Sequence, residues 1–216
     1  MSSGNVFPVI LSAPSGGGKT TIARRLLGMR PDLGYSVSCT TRAARPGEIA
    51  GTDYYFISRA EFIAERERDG FAESAVVHGN LYGTLRREVE RVMAQGKNVV
   101  MDIDVQGATQ FVRAFPQSVT IFILPPSAEV LLERLRARKT ESALQLAARL
   151  QSALQELQQV GEYEYVVVND DLERAVASVG SIIDAEAVSR ERVKNLRQQV
   201  ALLIERLELE IENTTP

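Results

Sequence analysis

Eight consecutive residues, Ala13-Pro14-Ser15-Gly16-Gly17-Gly18-Lys19-Thr20, follow the phosphate-cradling pattern G-x-x-x-x-G-K-[ST] at every position but the first, where alanine stands for glycine. Glycines in such a loop let successive backbone N–H groups turn inward around a phosphate. The helix that follows points its positive end at the same place, and the Lys19 ammonium adds a full charge. The Thr20 hydroxyl is of the type that ligates Mg²⁺ beside a nucleotide. Alanine resists only positive φ, so Ala13 bears on the entry turn alone. These residues predict a site for a nucleoside triphosphate.

Asp102 ends the apolar run Val99-Val100-Met101, so a strand delivers a carboxylate at its C-terminal end, where a residue holding Mg²⁺ or its water is expected beside such a loop. Asp104 is better placed as the N-cap of the next helix, and shares a face with Asp102 only if the strand continues. Arg42 and Arg45 stand among Ser38, Thr40, Thr41 and Tyr54, a concentration of phosphate-type donors that predicts a second phosphate site. With one histidine and one cysteine, zinc chemistry and histidine-assisted nucleophiles are poorly supplied; His78 reads as a loop side chain.

The elements that must position these residues alternate. Val6 to Ala13, Asn98 to Ile103, Ser118 to Leu124 and Tyr165 to Val168 are short apolar runs that predict buried parallel strands. Between and after them, Lys19 to Met29, Val105 to Phe115 and Leu172 to Val188 have helical spacing, the last announced by Asn169-Asp170-Asp171. This is an α/β pattern, a parallel sheet with helices on both faces. Two excursions interrupt it. Tyr35 to His78 predicts antiparallel strands with a helix near Ala60 to Asp69, and Pro126 to Gly161 is helical with a basic cluster at Arg134, Arg136, Arg138 and Lys139. Excursions leaving the carboxyl ends of the strands would flank a ligand there. From Val188 to Ile211 the spacing of Val193, Leu196, Val200, Leu203 and Leu207 predicts one long helix. It either packs along its own core, the favoured reading, or forms a dimer seam that would make a homo-oligomer.

A chain of 216 residues is one compact unit with insertions or two small domains, and 44% hydrophobic residues is ample for a core. Lys plus Arg is 25 against 28 Asp plus Glu, a net charge of −3, so no nucleic-acid partner that needs a basic surface is expected. The lone Cys39 cannot form an intrachain disulfide, no signal segment or membrane-spanning run is visible, and a cytoplasmic location is the expectation.

Taken together, the phosphate loop, SVSCTTRAARPGEIAGTDYYF (Ser36 to Phe56), FAES and GNLYGT (Phe71 to Thr84), DIDVQG (Asp102 to Gly107), LPPS (Leu124 to Ser127), RLRARKTES (Arg134 to Ser142) and VVNDD (Val167 to Asp171) closely resemble guanylate kinases over residues 5–186. The string TTRxxRxGExxGxDYxF is far more specific than a phosphate loop alone, and alanine at the loop's first position is a familiar variant of that family. The resemblance implies the nucleoside-monophosphate-kinase fold, a parallel core with a mixed α+β acceptor-binding insertion and a helical lid, and transfer of phosphate from ATP to GMP with Mg²⁺.

Residue by residue it implies that Ala13 to Thr21, Arg134 and Asn169 bind ATP. Ser38, Arg42, Arg45, Tyr54 and Tyr82 would hold the GMP phosphate, and Glu73, Thr84 and Asp104 would read guanine. Thr20 and Asp102 would serve the metal, and Lys19, Arg42, Arg138 and Arg149 would neutralise the transferring group. A carboxylate suits guanine, whose N1–H and N2–H₂ are adjacent donors, and repels adenine, whose N1 is an acceptor. Thr84 stands where some relatives have serine and keeps the hydroxyl; Lys139 stands where many have glycine or arginine. The implied organisation is a core at residues 1–34, 91–126 and 161–187, an acceptor-binding insertion at 35–90, a lid at 127–160 and a helical extension at 188–216. A kinase for another phosphorylated acceptor and a non-catalytic binding module of the same fold are the alternatives.

Overall fold

Five apolar or small residues in a row, Pro8–Ser12, present no polar face to water, and this strand, β1, is buried along its whole length at the centre of a five-stranded sheet. The computed structural model describes residues 6–77, 79–136 and 143–214, with the side chains of 143–145 left aside. The expectations for His78, Arg138 and Lys139 lie outside the described residues. In the sheet β2 (Leu33–Tyr35) lies beside β7 (Asn98–Asp102), then come β1, β8 (Val119–Leu124) and β9 (Tyr165–Val168), every neighbouring pair parallel.

Period-two alternation divides the core. Val9 and Leu11 of β1 meet Ile22 and Leu26 of α1 (Lys19–Met29) and Val176, Val179 and Ile183 of α7 (Leu172–Ala187). On the other face Ile10, Val99 and Met101 meet Val89 and Val92 of α3 (Arg86–Ala94) and Phe111 of α4 (Val105–Ala114). Burying a side chain of this size contributes roughly 1.5–3 kcal/mol.

A second sheet has the order β4 (Tyr55–Phe56), β3 (Cys39–Thr40), β6 (Asn80–Leu85) and β5 (Phe71–Val77). The expected antiparallel pairing holds for β3 with β6 and for β5 with β6, but β3 and β4 run parallel. The intervening residues 41–54 form a long looped return rather than a hairpin turn, which leaves the chain re-entering in its original direction. Tyr35, placed by the sequence at the head of this excursion, instead ends a strand of the larger sheet. Helix α2 (Arg59–Glu67) starts at a reciprocal cap, Ser58 with Glu61, and stacks Phe62 on Phe71 with ring centroids 4.3 Å apart. Cys39 is a buried free thiol, and burial pushes its pKa up to about 12. In the helical excursion Leu131 and Leu135 of α5 (Ala128–Arg136) pack on Ala153 of α6 (Ala143–Gln158).

The C-terminal segment departs from its pattern. Instead of one helix from Val188, α7 stops at Ala187, a 3₁₀ turn follows at Arg190–Arg192, and α8 (Leu196–Thr214) begins after Asn195 at φ 56°. Arg192 anchors the break: its guanidinium lies 4.1 Å over the Phe7 ring, and donates to Glu186 at 3.0 Å and to the Gln117 carbonyl at 2.9 Å. Packing along its own core is also overturned, since no residue of α8 is buried. No helix among the described residues is long and apolar enough to cross a membrane.

Candidate active site

Three strands of the larger sheet deliver their carboxyl ends to one place. After β1 the loop turns sharply: Gly17 N–H donates to the Pro14 carbonyl at 2.7 Å, and Gly16 and Gly18 take φ of 84° and 96°. A Cβ on Gly17 would lie 2.7 Å from Ala13 Cβ and 2.9 Å from the Pro14 oxygen, both on the loop itself. Gly18 caps α1, whose first turn holds no acid, so the positive helix end faces the loop uncompensated. Lys19 is half-buried at this end, Thr20 and Thr21 are exposed on the first turn, and Ala13 is buried in the entry turn. After β9, Asn169 is buried and its amide donates to the Gly17 carbonyl at 2.9 Å, while Arg134 donates to the Asn169 carbonyl at 3.4 Å. Arg134 and Asn169 therefore border the loop, and Arg134 Nη1 is buried with no hydrogen-bond partner.

β7 ends at Asp102, and the strand does not continue, so Asp102 and Asp104 take separate directions. The Thr20 hydroxyl donates to Asp102 Oδ2, and Tyr35 OH donates to Asp102 Oδ1 at 2.8 Å. Burial raises the Tyr35 pKa, which keeps its proton on this bond. A hydroxyl and a carboxylate side by side are the hard oxygen donors Mg²⁺ takes. Asp104 caps α4, accepting from Gly107 N–H at 2.7 Å.

The second sheet supplies the other half of the cleft. Glu73 and Thr84 are register partners on β5 and β6; both are buried, and the Thr84 hydroxyl donates to Glu73 at 2.7 Å and lies 3.3 Å from Ser38 Oγ. Glu73 Oε2 sits where a Cβ on Gly107 would be 3.0 Å away, with Asp104 Oδ1 at 3.4 Å from the same point, so the two acids approach over a residue that has no side chain. Burial, with the Asp104 charge nearby, pushes the Glu73 pKa up to about 7, against the pull of the Thr84 hydroxyl. The fold therefore holds this proton more tightly than the unfolded chain. Stability falls as pH rises from the ordinary 4.5 towards 7, because νU is below νN in that window.

Arg42 lies at the centre of the expected phosphate donors. Its Nε donates to Tyr82 OH at 3.2 Å, its guanidinium lies 5.5 Å from the Tyr54 ring centroid, and both terminal nitrogens grip Glu48 at 2.8 and 2.9 Å. That pair, with the Arg45 backbone N–H at 2.7 Å, holds the Glu48 carboxyl down at about 2. The Arg45 side chain is exposed. Arg149 of α6 reaches the phosphate loop from above, 3.4 Å from Ser15 Oγ and 2.9 Å from the Leu135 carbonyl.

The described residues singled out from sequence fall into two groups, one at the carboxyl ends of the larger sheet and one on the smaller sheet. Glu48, Tyr35 and Glu156, whose carboxylate accepts from Ser15 N–H at 2.9 Å, were not singled out. Glu48 stood in the quoted arginine-rich string, whereas Tyr35 and Glu156 carry no local signal, because their partners are 67 and 141 residues away.

A model of the family described as guanylate kinase matches residues 5–186. The chain belongs to the guanylate kinase family. It is 49% identical over 185 residues to a guanylate kinase of Rhizobium meliloti (strain 1021), covering 85% of this chain and 84% of that one. A guanylate kinase of Symbiobacterium thermophilum is 45% identical over 195 residues, 90% of each chain. Among solved structures, guanylate kinase from Anaplasma phagocytophilum superposes with a TM-score of 0.74 at 37% identity, over 92% of this chain and 94% of the other. The guanylate kinase fold expected from the sequence, a parallel α/β core flanked by helices, is the fold observed.

Proposed function

We propose that this chain transfers the γ-phosphoryl group of ATP to GMP. An oxygen of the GMP phosphate bonds to the γ-phosphorus, the bond from that phosphorus to the β–γ bridging oxygen breaks, and ADP and GDP leave. One observation carries the reading. The β7–α4 junction gives Asp102 to the phosphate loop and Asp104 to the neighbourhood of buried Glu73, so a single short segment borders a triphosphate cradle and a base reader. The acceptor phosphate is already an anion near neutral pH, so no general base is required; the chain aligns two anions and offsets their repulsion.

In this reading Lys19 and the backbone N–H groups of Gly16, Gly18, Lys19 and Thr20 hold the ATP phosphates, while Arg134 and Asn169 border the adenine side. Ser38, Arg42, Arg45, Tyr54 and Tyr82 grip the GMP phosphate, with Arg42 exchanging part of its hold on Glu48 for phosphate oxygens. Arg149 approaches from the helical excursion, which with the acceptor-binding insertion closes over the substrates and excludes water; Arg138, outside the described residues, is assigned to the transferring group by the family resemblance alone. Thr20 and Asp102 would hold Mg²⁺ together with the nucleotide. Among the described residues no group of three or more His, Cys, Asp or Glu could hold a metal unaided, which suits an ion that arrives with phosphate oxygens as its other ligands. Bound there, magnesium would supply charge neutralisation to the phosphate groups. The reaction belongs to purine nucleotide metabolism in the cytoplasm.

Steady-state ADP production with ATP and Mg²⁺, comparing GMP, AMP, UMP and no acceptor, tests the proposal. Turnover with GMP alone is expected. Preference for another acceptor, or silence with every acceptor in protein that still binds ATP, overturns it in favour of a different kinase or a binding module.

Because guanine needs the ionised form of Glu73, the KM for GMP should rise as pH falls through about 7, by at most about tenfold per unit. The KM for ATP should not follow it. KM profiles for both substrates between pH 5.5 and 8 check this, and a flat difference between the two sinks the assignment of that proton to Glu73.

A further inference from the structure

Asp102 stands half-buried at the end of β7, where nothing in its own strand settles how its carboxylate turns. Two other elements settle it. Thr20 donates to Oδ2 from the first turn of α1, and Tyr35 donates to Oδ1 at 2.8 Å from the end of β2. A carboxylate held at both oxygens cannot rotate about its Cβ–Cγ bond without breaking a charge-assisted hydrogen bond. Of the two donors Tyr35 is the stiffer: Thr20 is exposed on a helix turn, whereas Tyr35 is half-buried and carries its hydroxyl on a rigid ring with two rotatable bonds.

The register explains why the residue is a tyrosine. Tyr35 pairs with Val100 across the parallel strands β2 and β7, so Asp102 lies two residues further along, about 6.6 Å. A phenol spans that distance, and a serine or threonine hydroxyl at position 35 would stop short. Phenylalanine could supply the ring alone. The hydroxyl adds a polar group whose burial costs free energy unless it is bonded, and its bond goes to Asp102. Tyr35, Thr20 and Asp102 also line one cleft of about 450 Å³, bounded by Gly51 to Asp53 of the insertion, so the phenol stands at the site.

We propose that Tyr35 is a positioning residue for the divalent cation: it locks the Asp102 carboxylate and so favours Mg²⁺ over larger ions. This rests on the reading that Thr20 and Asp102 hold Mg²⁺ with the nucleotide. Mg²⁺ demands near-ideal octahedral geometry, whereas Ca²⁺ accepts flexible arrangements of oxygens, so a carboxylate free to turn penalises Mg²⁺ more. Partners that orient a metal's ligands typically contribute about 10- to 100-fold in metal affinity or activity.

Calorimetric titration of ATP into the full chain with Mg²⁺, with Ca²⁺ and with EDTA tests the proposal on the unaltered protein, Tyr35→Phe and Asp102→Asn. For Tyr35→Phe the Kd of ATP should rise about 10-fold or more with Mg²⁺, by a smaller factor with Ca²⁺, and not at all with EDTA, which also shows that the nucleotide site is intact. Asp102→Asn should weaken binding with Mg²⁺ as well. Normal binding with Mg²⁺ in Tyr35→Phe beside weakened binding in Asp102→Asn overturns the proposal and leaves the metal reading standing. Normal binding in both variants overturns the metal reading and the proposal with it. A loss of equal size with Mg²⁺ and Ca²⁺ overturns the proposal too, whether or not EDTA shows the same loss.

Discussion

Lys19→Ala is expected to lower kcat by about two to three orders of magnitude, the scale of losing one preorganised donor aimed at developing charge. The loop's other phosphate-binding groups are backbone N–H dipoles and the end of a helix with no acid in its first turn; Lys19 is the full charge among them. No other residue from Ala13 to Thr20 is cationic. The side chain is not part of the apolar core, so the variant should keep the melting temperature of the unaltered protein. Single-turnover and steady-state rates with ATP and GMP, alongside a thermal melt, check both parts; turnover within a few fold of normal removes Lys19 from its assigned role.

Glu73→Gln is the second large effect. The carboxylate is nearly isosteric with the amide, Thr84 can still donate to the remaining oxygen, and the fold loses little. The guanine edge, however, presents two donors side by side, and glutamine meets one of them with its own NH₂. Loss of one charge-assisted bond costs about 1.5–3 kcal/mol, so the KM for GMP should rise by about 10- to 100-fold with the KM for ATP unchanged. The variant should also lose the rise in GMP KM through pH 7, because the titrating group is gone. An unaltered GMP KM would falsify the guanine-reading role, and a rise in both KM values would point to a general distortion of the cleft.

These effects rest on residues of differing legibility. The phosphate loop was legible because its requirements are local: positive φ at Gly16 and Gly18, no room for a Cβ at Gly17, a strand before and a helix after. The parallel core followed from apolar runs too short for anything but buried strands, and the Asp104 cap from three residues of sequence. Glu73 is different. Nothing in Phe71-Ala72-Glu73-Ser74 marks it as more than a surface acid; only likeness to a family singled it out.

Pattern failed where distant contacts outweighed it. Residues 188–195 have helical spacing, yet Arg192 is drawn to Phe7, Glu186 and Gln117, and the chain breaks there. The same spacing in α8 could mean a packed helix or a seam, since periodicity says which side chains share a face but not what covers it.

By itself, then, the amino-acid order determined the parallel core, the phosphate loop, the strand-end carboxylate at Asp102 and the membership of arginines and tyrosines in a phosphate-type cluster. All of these depend on residue type and on neighbours within a few positions. Only the tertiary structure decided that Tyr35 braces Asp102, that Glu48 grips Arg42, that Glu156 caps Ser15 N–H and that Glu73 is buried over Gly107 with its proton held to about pH 7. Except for the grip of Glu48 on Arg42, six residues apart, each of these depends on chain segments far apart in sequence being brought within hydrogen-bond distance or out of water. Burial and partner identity are properties of the packed whole.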